Sequence, residues 1–534
     1  ILIMSHASSI FQRVPVEMPN RSGFDMSHEN LGTLKTGTLV PVLVDEILPN
    51  DSISLGSSFQ VQLPPMVADF YGRVDFVLEA FFVPMRLLWG GFQDFMTHPT
   101  AYPQFPEGTK VQGKPKYLPR VVASDSDLQA GSLADYLGFK SETGAERNVY
   151  LNALPFIAYH RIYDDWYRES RIQSPCFYRP STTGQEGTAP SALPYVSISA
   201  ASEIAPITFN PSSLLGDGVR LLELRQRNFA KDYFTTATPL PQAGNASQLE
   251  FDTDNTTGKG AFSIAALRAA NSLQKWMERN NIAGYKYSDQ IYAQFGRYPS
   301  DAIMDRVIYL GRQSSNVYTR SVFNTNGVSE SDGNVSGQLG YKAGSSQSVG
   351  EGSLVDNFTA SEHGYLIVLA SLVPHAYYST GIRRYLKRQV VGDFAFPLLS
   401  GMGDQAIMTS ELDSSVYGTD DDIEFGYNDL YSEYKYHDDE VHGLLRDGEN
   451  LSQFALQRSF IGTGPELSSS FLQIPTSFLD QITSVQTDVA GYTAWYDIFF
   501  PYKKVSTLPE YSLPTLADLK HVHTEYISRG GKRL

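Results

Sequence analysis

The chain has 534 residues, of which 42% are hydrophobic, 19% charged and 12% aromatic, and its formal net charge is −16. That mixture belongs to a folded chain of two to four domains, or to one β-scaffold carrying long inserted loops. The acidic balance excludes a surface that coats nucleic acid throughout, and a single cysteine, Cys176, excludes an intrachain disulfide framework.

In chain order, residues 1–10 show no basic segment followed by a long apolar run, so no signal peptide is expected. Residues 34–48 are rich in Thr, Val and Leu and read as a strand. Pro49, Asn50 and Asp51 supply a turn. Residues 52–63 alternate, with Ile53, Leu55, Phe59, Val61 and Leu63 on one face, as a half-buried strand does. Residues 73–83 are a third strand, ended by Pro84, and 85–96 read as a short helix.

The middle of the chain changes character. Residues 152–169 predict a helix, with Asn152 as cap, Pro155 in the first turn and Ala158, Ile162 and Trp166 on one stripe. Residues 263–280 predict another, with Ser263 as cap and Ile264, Leu267, Ala270, Leu273 and Met277 as its apolar face. A shorter helix follows at 288–295. Residues 97–127, 174–210, 242–260 and 317–356 read as loops, the last rich in Ser, Gly and Asn. Strands return at 363–378, 430–435 and 494–500. The order β, then helices and loops, then β fits either one interrupted sheet or separate domains. The apolar run at 365–374 is too short to span a bilayer, and no membrane insertion is expected.

Motifs for catalysis are missing. Gly113-Lys114, Gly258-Lys259 and Gly531-Lys532 are not followed by Ser or Thr, and Gly401-Met402-Gly403 lacks the third glycine of a dinucleotide site. Cys176 reads as a packed small residue rather than a nucleophile. His521 and His523 share a strand face near Glu525, but zinc needs a further ligand, and a solvated tail is the plainer reading. Asp252 and Asp254 open like a calcium loop, yet Thr257 and Ser263 stand where Gly and Glu are needed. Neither a metal nor another cofactor is expected. The acid runs Asp164-Asp165, Asp420 to Asp422 and Asp438 to Glu440 read as solvated faces. Two basic clusters could meet phosphate: Arg383, Arg384, Lys387 and Arg388 around Tyr385, and Arg529, Lys532 and Arg533 at the C-terminus. Otherwise they are a solvated surface helix and a loose tail.

Several segments together resemble the major capsid protein of the Microviridae, above all its gokushovirus-like branch. They are Arg21 to His28, Leu39 to Val42, Val44 to Pro49, Ala80 to Leu87, Gly131 to Leu137, and Asn152 to Phe156. Further on come Asp232 to Thr235, Pro239 to Gln242, the helix at 264–279, Glu362 to Tyr365, His442 to Arg446, and Pro509 to Asp518. They run in the family's order over residues 21–520.

The resemblance implies a mainly β fold: an eight-stranded viral jelly roll with long helical and loop insertions, one capsid domain over 1–534. Its strands would lie mainly in 30–100 and 355–515, its insertions in 101–354 and a tail in 516–534. It implies a structural protein with no active site, sixty copies of which form a T=1 icosahedral shell around circular single-stranded DNA. The implied partners are further copies of itself, the genome, a small basic DNA-binding protein, a minor pilot protein and a host surface receptor. The protein would be assembled in the host cytoplasm and reside in the virion.

The chain departs from the family in one place. Only residues 243–262 separate the Pro239 to Gln242 block from the next helix, which leaves little for a tall threefold protrusion. The outer surface is expected from 174–210 or 317–356 instead. A jelly-roll carbohydrate- or receptor-binding protein of a phage is the alternative reading, and a glycosidase on a β-scaffold is a further one.

Overall fold

The computed structural model describes residues 21–66, 70–96, 117–139, 149–177, 208–210, 214–241, 268, 271–276, 279, 287–296, 305–323, 342–401, 403–483, 486–487 and 491–510. The chain begins with five strands: β1 (Ser22–Asp25), β2 (His28–Leu34), β3 (Val40–Ile47), β4 (Ser52–Gln62) and β5 (Val74–Pro84). The expected turn joins β3 to β4. Asn50 adopts a φ of +69°, and the Asp51 carboxylate accepts a hydrogen bond from the Leu48 amide at 3.0 Å. Inward and outward residues alternate along β4, whereas β5 is buried at every position. A strand apolar on both sides must be covered on both sides.

The expected helix at 85–96 is two pieces, a 3-10 turn at Met85–Leu87 and a helix at Phe92–Met96, separated at Gly90-Gly91. The insertion then holds β6 (Arg120–Ala123), β7 (Val149–Asn152) and β8 (Thr208–Phe209), which form a small sheet ordered β7-β6-β8. Between β7 and β8 lies the helix Leu154–Ile162, where the Asn152 side chain accepts from the Leu154 amide at 3.0 Å. It runs on as one π turn, Tyr163–Tyr167. Ala158 and Ile162 are fully buried as expected, but Trp166 is 42% exposed. The wider π turn rotates Trp166 off the stripe, and its indole N–H donates to the Val307 carbonyl at 2.9 Å.

Residues 268, 271–276 and 279 are helical, as predicted, although Leu273 is half exposed. Ser263, Ile264, Leu267, Ala270 and Met277 lie outside the described residues. The following helix is Tyr287–Phe295.

Four strands come next: β9 (Ile308–Asn316), β10 (Tyr318–Phe323), β11 (Lys342–Thr359) and β12 (Gly364–Pro374). They correct two expectations. Much of 317–356 is not a loop, and the strands resume at Ile308 rather than near 355. Ser and Gly in this stretch mislead because they serve packing. β11 pairs with β4 from Gln347↔Gln62 to Thr359↔Ser52, and a Cβ on Gly350 would come within 2.4 Å of the Phe59 ring. Only glycine fits there.

The short strands β13 (Tyr377–Tyr378), β14 (Asp404–Met408), β15 (Glu424–Asp429) and β16 (Asp439–Glu440) precede β17 (Ala494–Phe500) and β18 (Tyr502–Ser506). The strand expected at 430–435 is instead a 3-10 turn, Ser432–Tyr434, entered through Tyr431 at a φ of +63°. That left-handed residue ends the extended run, which lies earlier, in β15.

Strands from both ends of the chain share two sheets. One sheet runs β3-β12-β5-β9, all antiparallel. The other contains β1-β18-β4-β11-β10, with β17 paired to both β2 and β4. The first core lies between the sheets, with Ile53, Phe59 and Val61 from β4, Phe76 and Phe82 from β5, Leu366 and Val368 from β12, and Tyr496 and Ile498 from β17. A second core covers the far face of the four-stranded sheet. There Phe81, Val83, Ile367 and Leu369 meet Leu154, Ile157 and Ala158 of the inserted helix. Each Val, Leu, Ile or Phe among them contributes about 1.5–3 kcal/mol on burial. No helix among the described residues is long and apolar enough to cross a membrane.

Candidate assembly site

A third, smaller core stands beside the sheets, built from Tyr233, Phe234, Tyr378, Ile407, Leu412, Phe425 and Phe471. Arg458 runs through it, its guanidinium 4.3 Å from the Phe471 ring centre and 4.4 Å from that of Phe229. It donates to the Phe471 carbonyl at 2.7 Å and the Tyr378 hydroxyl at 3.3 Å. Stacking and hydrogen bonds together allow a cation to be buried here.

The first basic cluster sits on the rim of this core. Its four cations fold together around a 3-10 turn, Arg384–Lys387, not a surface helix. Every one of them meets an acid. Arg383 pairs with Glu440, and Arg384 lies 3.3 Å from Glu411. Arg388 lies 3.0 Å from Glu433, and Lys387 lies 3.9 Å from Glu411 and 4.0 Å from Asp422. Glu411 is 8% exposed, and burial raises its carboxyl above the usual range while Arg384 and Lys387 oppose that shift. The partners Glu411 and Glu433 were not legible, because each lies more than twenty residues from its cations. The second cluster, Arg529, Lys532 and Arg533, lies outside the described residues, as do His521, His523, Glu525, Asp252, Asp254, Thr257 and Ser263.

The cleft lined by Tyr233, Arg383, Arg384, Glu411, Asp438 and Glu440 has a volume of 160 Å³. Ligand pockets need about 300–1,000 Å³. Asp438 accepts from the Tyr233 amide at 3.3 Å, and burial together with the nearby Asp232 pushes its carboxyl up to about 7. Asp232 is itself engaged by the Phe234 and Thr235 amides and by the Tyr378 hydroxyl at 2.7 Å. These carboxylates organise loops and face no reacting group.

Another polar cluster brings a cysteine, a histidine and an aspartate together in an order that prevents nucleophilic chemistry. Arg225 Nε donates to His160 Nδ1 at 2.8 Å, so the other ring nitrogen carries the proton and donates to the Leu221 carbonyl at 2.8 Å. Both imidazole nitrogens are therefore committed, and burial holds His160 well below its ordinary pKa. Arg225 also pairs with Asp217, and burial pushes the Cys176 thiol well up. A neutral, buried thiol packs rather than attacks. Asp164 and Asp165, expected on a solvated face, are buried acids that pair with Arg168 at 2.7 Å and Arg161 at 3.3 Å. No group of three or more metal-binding side chains occurs among the described residues.

What remains conspicuous is apolar surface. Of the thirteen residues 389–401 only Asp393 is charged, yet all but Ala395 are exposed. Val391 is 75% exposed and Leu398 94%.

The sequence profile of the capsid protein (F protein) family matches residues 12–261 and 252–516. The chain belongs to that family. The capsid protein is also similar, over almost its whole length, to capsid proteins VP1 of three phages. It is 25% identical to that of Chlamydia phage 1, over 95% of this chain and 97% of the relative. It is 26% identical to that of Bdellovibrio phage phiMH2K, over 95% and 98%, and 24% identical to that of Spiroplasma virus 4, over 93% and 95%. The alignment with the Chlamydia phage protein spans 624 positions, more than this chain has residues, so that relative carries insertions absent here. The chain is thus a structural capsid protein of the Microviridae, not an enzyme, and a component of the virion.

Proposed function

We propose that the capsid protein forms the wall of a T=1 icosahedral shell, sixty copies around a circular single-stranded DNA genome. The wall element is an eight-stranded jelly roll. The strand order carries this reading: β2-β17-β4-β11 in one sheet faces β3-β12-β5-β9 in the other. Taken in chain order, these eight strands enter alternate sheets except at β5 and β9, between which the long insertion departs. This order supports the double Greek key of a jelly roll, read as one wall element interrupted by an insertion rather than divided into domains. Acidic overall charge supports a separate small basic protein as the genome's main counter-ion, with a minor pilot protein in the same particle.

Among the candidate DNA contacts, Arg529, Lys532 and Arg533 are the stronger. Arg383, Arg384, Lys387 and Arg388 are already balanced by acids, which lowers what each can give to phosphate. The host-facing surface is proposed to come from 174–210 or from 317–356, of which 178–207 and 324–341 lie outside the described residues. Assembly takes place in the host cytoplasm before the shell meets a receptor on the next cell.

The test is the mass of nuclease-treated particles. Sixty chains of 59.3 kDa give about 3.6 MDa of shell protein, with the enclosed DNA protected. A different copy number, or particles in which this chain is a minor component, would overturn the reading.

A further inference from the structure

We infer that residues 436–446 form a surface flap held closed by a proton on Asp438, and that the flap loosens as pH rises through neutrality while the two sheets stay folded. The latch belongs to the single chain and does not depend on the shell.

Polar groups fasten the flap. Val441 is the one buried residue among 436–446. β16 pairs with β13 over two residues only, Tyr377↔Asp439 and Tyr378↔Glu440, and the Val441 amide donates to the Tyr378 carbonyl at 3.0 Å. Asp438 accepts from the Tyr233 amide at 3.3 Å, and Arg446 donates to the Ser379 carbonyl at 2.9 Å. With so little apolar cover, the charge state of the cluster decides how firmly the flap is held.

Closure brings Asp438, Asp439 and Glu440 up to Asp232, which the Tyr378 hydroxyl and two amides already fix in place. Arg383 gives its Nε to Glu440 and an Nη2 hydrogen to the Asp438 carbonyl at 3.2 Å, so it offsets Asp232 only in part. Arg458 reaches Asp232 only through the Tyr378 hydroxyl. Across the cleft, Arg384 faces Glu411 at 3.3 Å and Glu433 at 4.0 Å. His442 lies 3.1 Å from Glu440, and His437 lies 3.5 Å from Arg383. Tyr233, Tyr378 and Tyr436 stay neutral, because burial pushes each hydroxyl up.

Burial and Asp232 raise the closed-state Asp438 carboxyl to about 7, whereas in an open flap it returns to the ordinary value of about 4. Between these values the closed flap binds a proton that the open flap releases. Opening therefore becomes easier as pH rises through the window and levels off above it. From pH 6 to pH 8 the open population should grow about tenfold.

Hydrogen exchange of the full-length chain, read by mass spectrometry at pH 6 and pH 8 with the intrinsic base-catalysed rate divided out, tests the latch. Protection of residues 436–446 is expected to fall about tenfold at pH 8, while that of β4 and β12 holds. Asp438→Asn, neutral at both values, should keep the flap protected and abolish the change. Histidine also titrates in this range, but replacing both exposed histidines, His437→Gln with His442→Gln, should leave the change in place. Equal protection of the native flap at both pH values would overturn the inference, and so would a change that vanishes with the histidines. A fall of the same size in β4 and β12 would mean global unfolding and would overturn it too. The native chain and the histidine pair decide the matter even if Asp438→Asn misfolds.

Discussion

Glu79 and Arg227 meet at 2.7 Å on the far face of the four-stranded sheet. Glu79 lies in the middle of β5 and is 8% exposed, and Tyr167 also donates to it at 2.5 Å. Arg227 reaches on to the Ser371 hydroxyl in β12 at 3.0 Å. One carboxylate thus ties the insertion to two strands of the wall. Arg227→Met should destabilise the chain by about 3–5 kcal/mol, because it leaves the buried Glu79 carboxylate only the half-exposed Arg312 at 3.9 Å as a charge partner, whereas Arg227→Met with Glu79→Gln should recover much of the loss. Urea unfolding of the free chain checks this, and additive losses would contradict the coupling.

Gly350 is required by the ring of Phe59, not by a turn. Gly350→Ala should cost about 1–3 kcal/mol through overpacking between β11 and β4. Adding Phe59→Leu should restore part of it, read by the same unfolding midpoint.

His160 is neutral in the fold, held well below its ordinary pKa by burial and by Arg225. The unfolded chain takes up a proton below about pH 6.5 and the folded chain does not. Stability therefore falls as pH drops through that value. His160→Gln, which keeps an acceptor for Arg225, should lose less stability between pH 7 and pH 5 than the native chain.

Asp438 titrates in the opposite sense. Its folded pKa is raised to about 7 by burial and Asp232, so between about pH 4 and pH 7 the folded chain binds a proton that the unfolded chain releases. This group makes the chain less stable as pH rises through that window. Asp438→Asn should flatten that component and stabilise the chain at pH 8, as thermal unfolding at several pH values would show.

Much of the wall was legible because its signals are local. β4 announces itself by alternation, and β5 and β12 by continuous apolar runs that only a doubly covered strand explains. β11 was not legible. Its Ser and Gly composition is that of a loop, and its reason for being a strand lies nearly three hundred residues away, in β4 and Phe59. Asp164 and Asp165 failed for the same reason, since whether an acid pair is solvated depends on which arginines the fold brings to it. The cations 383–388 were visible as a cluster, but the acids 411 and 433 that balance them were not. Composition reports what a segment contains, while pairing across the sheet decides what it becomes.

A symmetry-resolved electron cryo-microscopy map of purified particles tests the central claim most directly. The expected map shows sixty equivalent copies whose continuous wall is the β2-β17-β4-β11 and β3-β12-β5-β9 sandwich. A shell whose wall is another protein, with this chain as decoration or absent, would contradict it.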